Sequence, residues 1–454
     1  MIRADVDERE VRAGIALAKW LRMFRRVVAV AALVATPAAA LADDPHTARE
    51  VASAPRPGDE SGRVDAEAGD SALRVAARGV LFVPKLALTL ATAPIHGLVW
   101  AEARVSDSNR VATRSHDVSV SPIASFETGF GASVGARVVD PDLGGARGAV
   151  QAAIGLGYRV RAGAVVDSDD QIAGLRVGLS TGYERIPDLP FYGIGNAATG
   201  AAEYELQQAR VAAFADVVLV HDLHAVATTT FAHVTTANGD EMVAFDEAFP
   251  GLAGFGTARD AIVPELELRW DDRGAASPYL PPGLHSAGSL ARAFASRALE
   301  LQGRDFWHYG VEAQHYWSLG QTRVLGVRLY GEGVTGSVAD VPYYELPALG
   351  GDLYLRGYTF DRFRDRLAGF GELQYRWVLS SYAAAYLFGD AGRVYHAYDA
   401  LSLDAMRVGF GAGLSLLSGG GHFLADGMIG SSIDGGVVVG LSLTPVEDRT
   451  RSLP

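Results

Sequence analysis

The chain has 454 residues, enough for one large domain or two ordinary ones. Its net charge of −13 argues against nucleic acid as a partner. With no cysteine, disulfides and thiolate-ligated metals are excluded, while export is left open.

Residues 1–42 are expected to carry an export signal. Arg22, Arg25 and Arg26 form a basic start, 27–34 an apolar core too short to cross a bilayer as a helix, and Ala40-Leu41-Ala42 a cleavage site before Asp43. The acidic prefix is foreign to such a signal, so translation is expected to begin at Met23. Residues 43–71 are polar, contain Pro45, Pro55 and Pro57, and read as a disordered linker. Residues 72–112 include an apolar stretch over 80–100 that Pro84, Lys85 and Pro94 interrupt. They are expected to form a kinked helical segment packed on or near the following domain, rather than a spanning helix.

From residue 113 to 445 the pattern changes to period-two alternation, the mark of strands with one apolar and one polar face. Such segments cover 118–126, 129–139, 149–166, 172–185, 203–220, 225–236, 261–272, 291–302, 306–319, 324–334, 369–380, 382–395, 406–417, 422–429 and 436–443. In 306–319, Trp307, Tyr309, Val311, Ala313, Trp317 and Leu319 share one face and His308, Glu312, Gln314 and Ser318 the other, as in a lipid-interface girdle. Exported, cysteine-free and strand-rich together predict an all-β transmembrane antiparallel β-barrel, because lipid tolerates no open sheet edge. About fifteen strands are visible, and a barrel with both ends on one side needs an even number. The missing strand is expected inside 200–256. Residues 446–454 are left as a tail.

One loop, 346–366, is too apolar to be disordered: Leu353, Tyr354, Leu355, Tyr358, Phe360 and Phe363 need burial. Arg356 at its tip needs an anion if it too is buried. In the flanking strands, Glu372 and Asp390 are expected opposite or diagonal to each other on neighbouring strands. Two carboxylates so placed repel, and a guanidinium between them converts that cost into charge-assisted hydrogen bonds.

These residues carry a resemblance. The succession LGGDLYLRGY, GELQYR and LFGDAG is similar to the bacterial surface antigen barrels, the BamA/TamA superfamily. The resemblance implies that the loop folds back into the lumen, its tip being Leu355-Arg356-Gly357-Tyr358, and that Arg356 is bound there by Glu372 and by the Phe388, Asp390, Gly392 strand motif. It also implies about 16 strands, and assembly or translocation of proteins or lipids at the Gram-negative cell outer membrane. Outer-membrane lipid, lipopolysaccharide and client outer-membrane proteins are the partners it implies. FYGIGN within 187–200 and WDDRG at 270–274 with the later PPG also resemble family turns. No βαββ pattern of a POTRA domain precedes the strands. The family's aromatic closing signal is missing from the C-terminal stretch. A passive structural barrel, or a narrow pore plugged by the loop, is the alternative.

No enzyme, cofactor or metal is expected. Gly178-Leu-Ser180-Thr-Gly182 spells a nucleophile elbow but lies mid-strand, where the required strand-to-helix turn is impossible. Gly193-Ile-Gly195, Gly129-Phe-Gly131 and Gly409-Phe-Gly411-Ala-Gly413 precede no helix, so they are barrel glycines and not phosphate loops. His221 and His224 fall at a turn between strands, and Asp167, Asp169 and Asp170 in another, where solvated side chains outweigh metal ligands.

Overall fold

The computed structural model describes residues 118–445, apart from 141–142, 144–145, 157–158, 169–173, 240–242, 274–283, 302, 381 and 418–422. The expected export signal, linker, helical segment and C-terminal tail lie outside the described residues.

Sixteen strands close into one antiparallel barrel. They are β1 (Ser119–Glu127), β2 (Gly131–Asp140), β3 (Arg147–Gly155), β4 (Val160–Asp167), β5 (Leu175–Phe191), β6 (Ala202–Val220), β7 (Leu223–Asn238), β8 (Arg259–Asp271), β9 (Gly288–Glu300), β10 (Phe306–Ser318), β11 (Arg323–Val334), β14 (Leu367–Ser380), β15 (Ala383–Tyr395), β16 (Arg407–Leu417), β17 (Phe423–Ser432) and β18 (Val437–Pro445). Within the connection from β11 to β14, β12 (Ala348–Leu349) and β13 (Phe363–Arg364) pair as a separate two-stranded sheet. Every barrel strand pairs with its neighbours in sequence, β11 pairs β14 across the inserted loop, and β1 pairs β18 to close the cylinder.

The sixteenth strand is not inside 200–256. Among its described residues that region holds two whole strands, β6 and β7, both already visible in the sequence, and a long connection bearing one helical turn, α1 (Phe245–Ala248). The extra strand comes from 149–166, which is a hairpin, β3 and β4, closed where the Gly155 N–H donates to the Arg159 carbonyl at 2.9 Å. Both arms put small or branched apolar residues on their outer faces, so alternation runs on almost without a break through the turn.

The wall follows period two. Val134, Val150, Ile154, Leu179, Val211, Leu266, Leu373, Leu387 and Ile429 are exposed on the outside. Polar side chains on the inward face pair across strands: Gln208 Nε2 donates to Glu184 at 2.8 Å, and Glu312 receives Arg292 at 2.8 Å and Arg328 at 2.6 Å. An apolar outside and a polar, paired inside fit a barrel solvated by hydrocarbon. Exposed aromatics stand near strand ends, Phe126, Trp307 and Phe410 toward one rim and Trp270 and Tyr382 toward the other.

All the long described connections at the ends of odd-numbered strands up to β11 open at one rim, the loop end. There Phe191, Tyr204, Phe245 and Tyr343 form a buried aromatic cluster, with Tyr204 and Tyr343 rings 4.9 Å apart, edge to face. At the other rim, Leu284 of the β8–β9 connection is buried against Ala384, Leu417 and Leu424. Arg376 donates there to the His285 carbonyl at 3.2 Å. Both mouths of the cylinder are thus narrowed by folded chain.

Candidate functional site: a loop held inside the barrel

The connection between β11 and β14 turns into the lumen because its apolar residues have nowhere else to be buried. Leu349, Leu355, Tyr358 and Phe363 pack with Tyr330, Phe370 and Val394 of the wall into one core. Backbone pairing of β12 with β13, Ala348 to Arg364 and Leu349 to Phe363, pinches the base of the loop. Arg364, buried at that pinch, donates to the carbonyls of Tyr343 at 3.0 Å and Leu346 at 3.1 Å and pairs with Asp361.

Arg356 is at the far end. In β14 and β15, Glu372 and Asp390 are direct cross-strand partners, both facing the lumen. Arg356 reaches between them. Its Nε and Nη2 donate to the two Asp390 oxygens at 2.9 and 2.7 Å, and Nη2 also lies 2.8 Å from Glu372 Oε1. The backbone N–H of Arg356 donates to Asp390 Oδ2 at 2.8 Å as well. Beneath the guanidinium lies Phe388, its ring centroid 3.8 Å from Cζ. One cation therefore separates two anions that adjacent strands would otherwise force together, with the Asp390 side chain fully buried.

The backbone bends to allow this. Leu355 has φ +61, a left-handed conformation costing a branched residue about 1–3 kcal/mol, and its side chain is fully buried among the loop core. Gly357 follows at φ +102, where an added Cβ would lie 2.1 Å from the Ser431 carbonyl oxygen. The wall answers with Gly409, whose added Cβ would lie 1.7 Å from the Arg356 carbonyl oxygen. The tip thus rests directly on the backbone of β16 and β17, and neither position accepts a side chain. Gly392, on β15, lies beneath Leu349 and Leu355. Tyr358 turns toward the loop end, donating its hydroxyl to Asp434 at 2.7 Å.

Arg356, Gly357, Tyr358, Glu372, Phe388, Asp390 and Gly392 are thus gathered at one place, except that Tyr358 and Asp434 form a second contact nearer the rim. Sequence reasoning missed Glu127, the last residue of β1, which accepts the Asp352 N–H at 3.0 Å and ties the loop to the closing strand. A lone glutamate at a strand end gave no signal for it. The FYGIGN turn also touches the loop: the Gly195 N–H donates to the Arg364 carbonyl at 2.8 Å and Thr359 Oγ1 to the Tyr192 hydroxyl at 3.1 Å.

The motifs set aside lie elsewhere. Ser180 sits within β5, paired with Val165 and Ala212. His221 and His224 flank the β6–β7 turn, His224 Nδ1 lying 2.8 Å from Asp216. Asp167 is paired with Arg176 at 2.8 Å. Among the described residues no group of side chains is arranged to hold a metal ion.

Among the described residues β1 and β18 match at four positions, Ala124 to Leu443 through Glu127 to Gly440, whereas β1 matches β2 along its whole length. Thr128 extends the seam by a backbone bond, its N–H donating to the Val439 carbonyl at 3.1 Å, and by a side-chain clip: its hydroxyl donates to the same carbonyl at 3.3 Å and accepts the Val439 N–H at 2.9 Å.

No protein-family model matches the chain, and a sequence comparison with characterised proteins gives no match. Solved structures do share the fold. A BamA from Haemophilus ducreyi lacking POTRA domains 1-3 superposes with a TM-score of 0.54 at 14% identity, over 73% of this chain and 70% of that one. CdiB from Acinetobacter baumannii gives 0.50 at 11% identity, over 73% and 60%. CdiB from Escherichia coli gives 0.50 at 12% identity, over 74% and 68%.

Proposed function

We propose that the chain is an outer-membrane barrel of the BamA/TamA superfamily that assists the insertion or translocation of proteins or lipids at the Gram-negative outer membrane, and that Arg356 with its two acids locks the inserted loop. The observation that carries this reading is the pairing of a lumen-held loop with a seam matched at four positions among the described residues. A closed sheet with one weak junction can part there, and the freed edge of β1 can accept a substrate strand by backbone pairing. The fold shared with BamA and CdiB supports the reading at the level of architecture. Lipid, lipopolysaccharide and client outer-membrane proteins are the partners it implies, with no catalytic chemistry of the barrel's own.

The alternative is a passive or plugged barrel, favoured by the narrowing of both mouths. The absence of cysteine makes the discriminating experiment clean. Cysteines replacing Ser125 and Ser442, matched across the seam, would staple β1 to β18 when oxidised. If the seam parts in function, depletion of the protein alters the outer-membrane proteome, and the stapled variant restores it only under reducing conditions. A stapled variant that restores it fully, or a depleted strain with an unchanged proteome, would leave the passive barrel. In planar bilayers both readings give small or no steady conductance, so conductance alone does not separate them.

A further inference from the structure

Near the loop end, between the inserted loop and the β17–β18 hairpin, lies a cleft of about 400 Å³. Tyr358, Arg362 and Phe363 form one side, Arg407 and Asp434 another, and backbone of Gly435 and Gly436 the rim. That volume lies in the range of small-ligand sites.

Its charges are unevenly satisfied. Arg407 is engaged, donating to Asp434 and to the Asn196 carbonyl, each at 2.8 Å. Asp434 is engaged twice, by Arg407 and by the Tyr358 hydroxyl. Arg362 has no carboxylate at salt-bridge distance among the described residues, and its Nη1 is buried without a hydrogen-bond partner. Its guanidinium is held over two rings, 4.8 Å from Tyr192 and 4.9 Å from Phe363. Stacking on ring faces fixes the plane of a guanidinium and leaves its N–H edge to donate outward. Arg407 also lies over Phe363, at 5.2 Å, and its Nε is likewise buried and unpartnered. Two guanidinium groups against one carboxylate leave the cleft with net positive charge. A buried donor left unmatched is costly, and a ligand oxygen that reached it would recover that cost.

We propose that this cleft binds a phosphate group, presented either as free phosphate or on a phosphorylated glycolipid headgroup, with Arg362 as its principal donor. A fork of N–H groups suits the tetrahedral oxygens of phosphate, and the net charge of the cleft favours an anion. Because the cleft joins the inserted loop to the hairpin that carries β18, occupancy would stiffen the contact between loop and closing strand. The free-phosphate arm of the test is independent of the membrane reading, and only the lipid arm rests on it.

The experiment is titration of the full chain in detergent with inorganic phosphate, followed calorimetrically. In parallel, the protein is reconstituted into phosphatidylcholine vesicles containing bis-phosphorylated lipid A or the same lipid with its phosphates removed. In vesicles the readout is amide exchange over 358–363 and 432–438. Arg362→Gln is expected to weaken binding about tenfold or more, and Arg362→Lys less, since charge is kept but the fork is lost. Asp434→Asn, which removes the competing carboxylate, is expected to strengthen it several-fold. Protection by phosphorylated lipid A with weak titration by phosphate would identify a headgroup site, and the reverse a free-ion site. Heat-modifiable gel mobility verifies that each variant is folded. No binding in either arm, or binding of equal strength in folded Arg362→Gln, would overturn the proposal.

Discussion

At the scale of the residue, the loop is fastened at two points that differ in burial. Arg356 is enclosed with Asp390 and Glu372, whereas Tyr358, Asp434 and Arg407 meet near the rim with Asp434 half exposed. The Tyr358 hydroxyl, and after it Arg407, hold the Asp434 carboxyl below the usual range for aspartate. A carboxylate whose folded pKa is depressed stabilises the fold above its unfolded pKa, about 3.9, and that contribution is lost as pH falls through the folded value. The rim contact is therefore expected to hold at neutral pH and to release only as pH falls through the depressed pKa of Asp434. Tyr358→Phe should raise the Asp434 pKa, measured by carbon-13 titration of its carboxyl group. An unchanged value would mean that the hydroxyl does not hold this acid. The residues of the inner contact were legible in the sequence because Arg356, Glu372 and Asp390 are charges interrupting apolar stretches, and each demanded a partner. Glu127 and Arg364 were not legible as loop contacts: Glu127 accepts a backbone N–H, and Arg364 holds two backbone carbonyls besides Asp361, and no side-chain pattern announces a backbone partner.

At the scale of the element, alternation located most strands, since each has one apolar outer face and one polar face toward the lumen. It failed at the β3–β4 turn, where residues that suit the outer face continue through the reversal, and one long strand and one hairpin look alike. The loop was recognisable as buried from its aromatics, but its internal sheet was not. β12 and β13 are two residues each, too short for any period to show. The seam is an element-level feature too, visible only once register is known. Its Thr128 clip supports a direct test. Thr128→Val should cost about 1 kcal/mol locally and speed hydrogen exchange of the Val439 amide, whose N–H the Thr128 hydroxyl accepts. Exchange at the wild-type rate would show that the clip is not closed in solution.

At the scale of the whole molecule, a cylinder with an apolar exterior has its lumen occupied by its own chain. The loop enters from one rim and is pinched by β12 and β13, and its tip lies against the backbone of β16 and β17. Through Asp352 and Glu127 it also touches β1, so the plug and the closing junction are mechanically joined. Release of the tip would loosen the seam, and parting of the seam would loosen the tip. The most direct test of this account is a double-mutant cycle on Arg356→Ala and Asp390→Ala, read from urea unfolding of the barrel in lipid. Each single change should cost about 3–5 kcal/mol, because each strands a buried charge. The double variant should cost less than their sum by about 2–3 kcal/mol. Additive losses, agreeing within about 0.5 kcal/mol, would contradict the account by showing that the two side chains do not meet in the folded barrel.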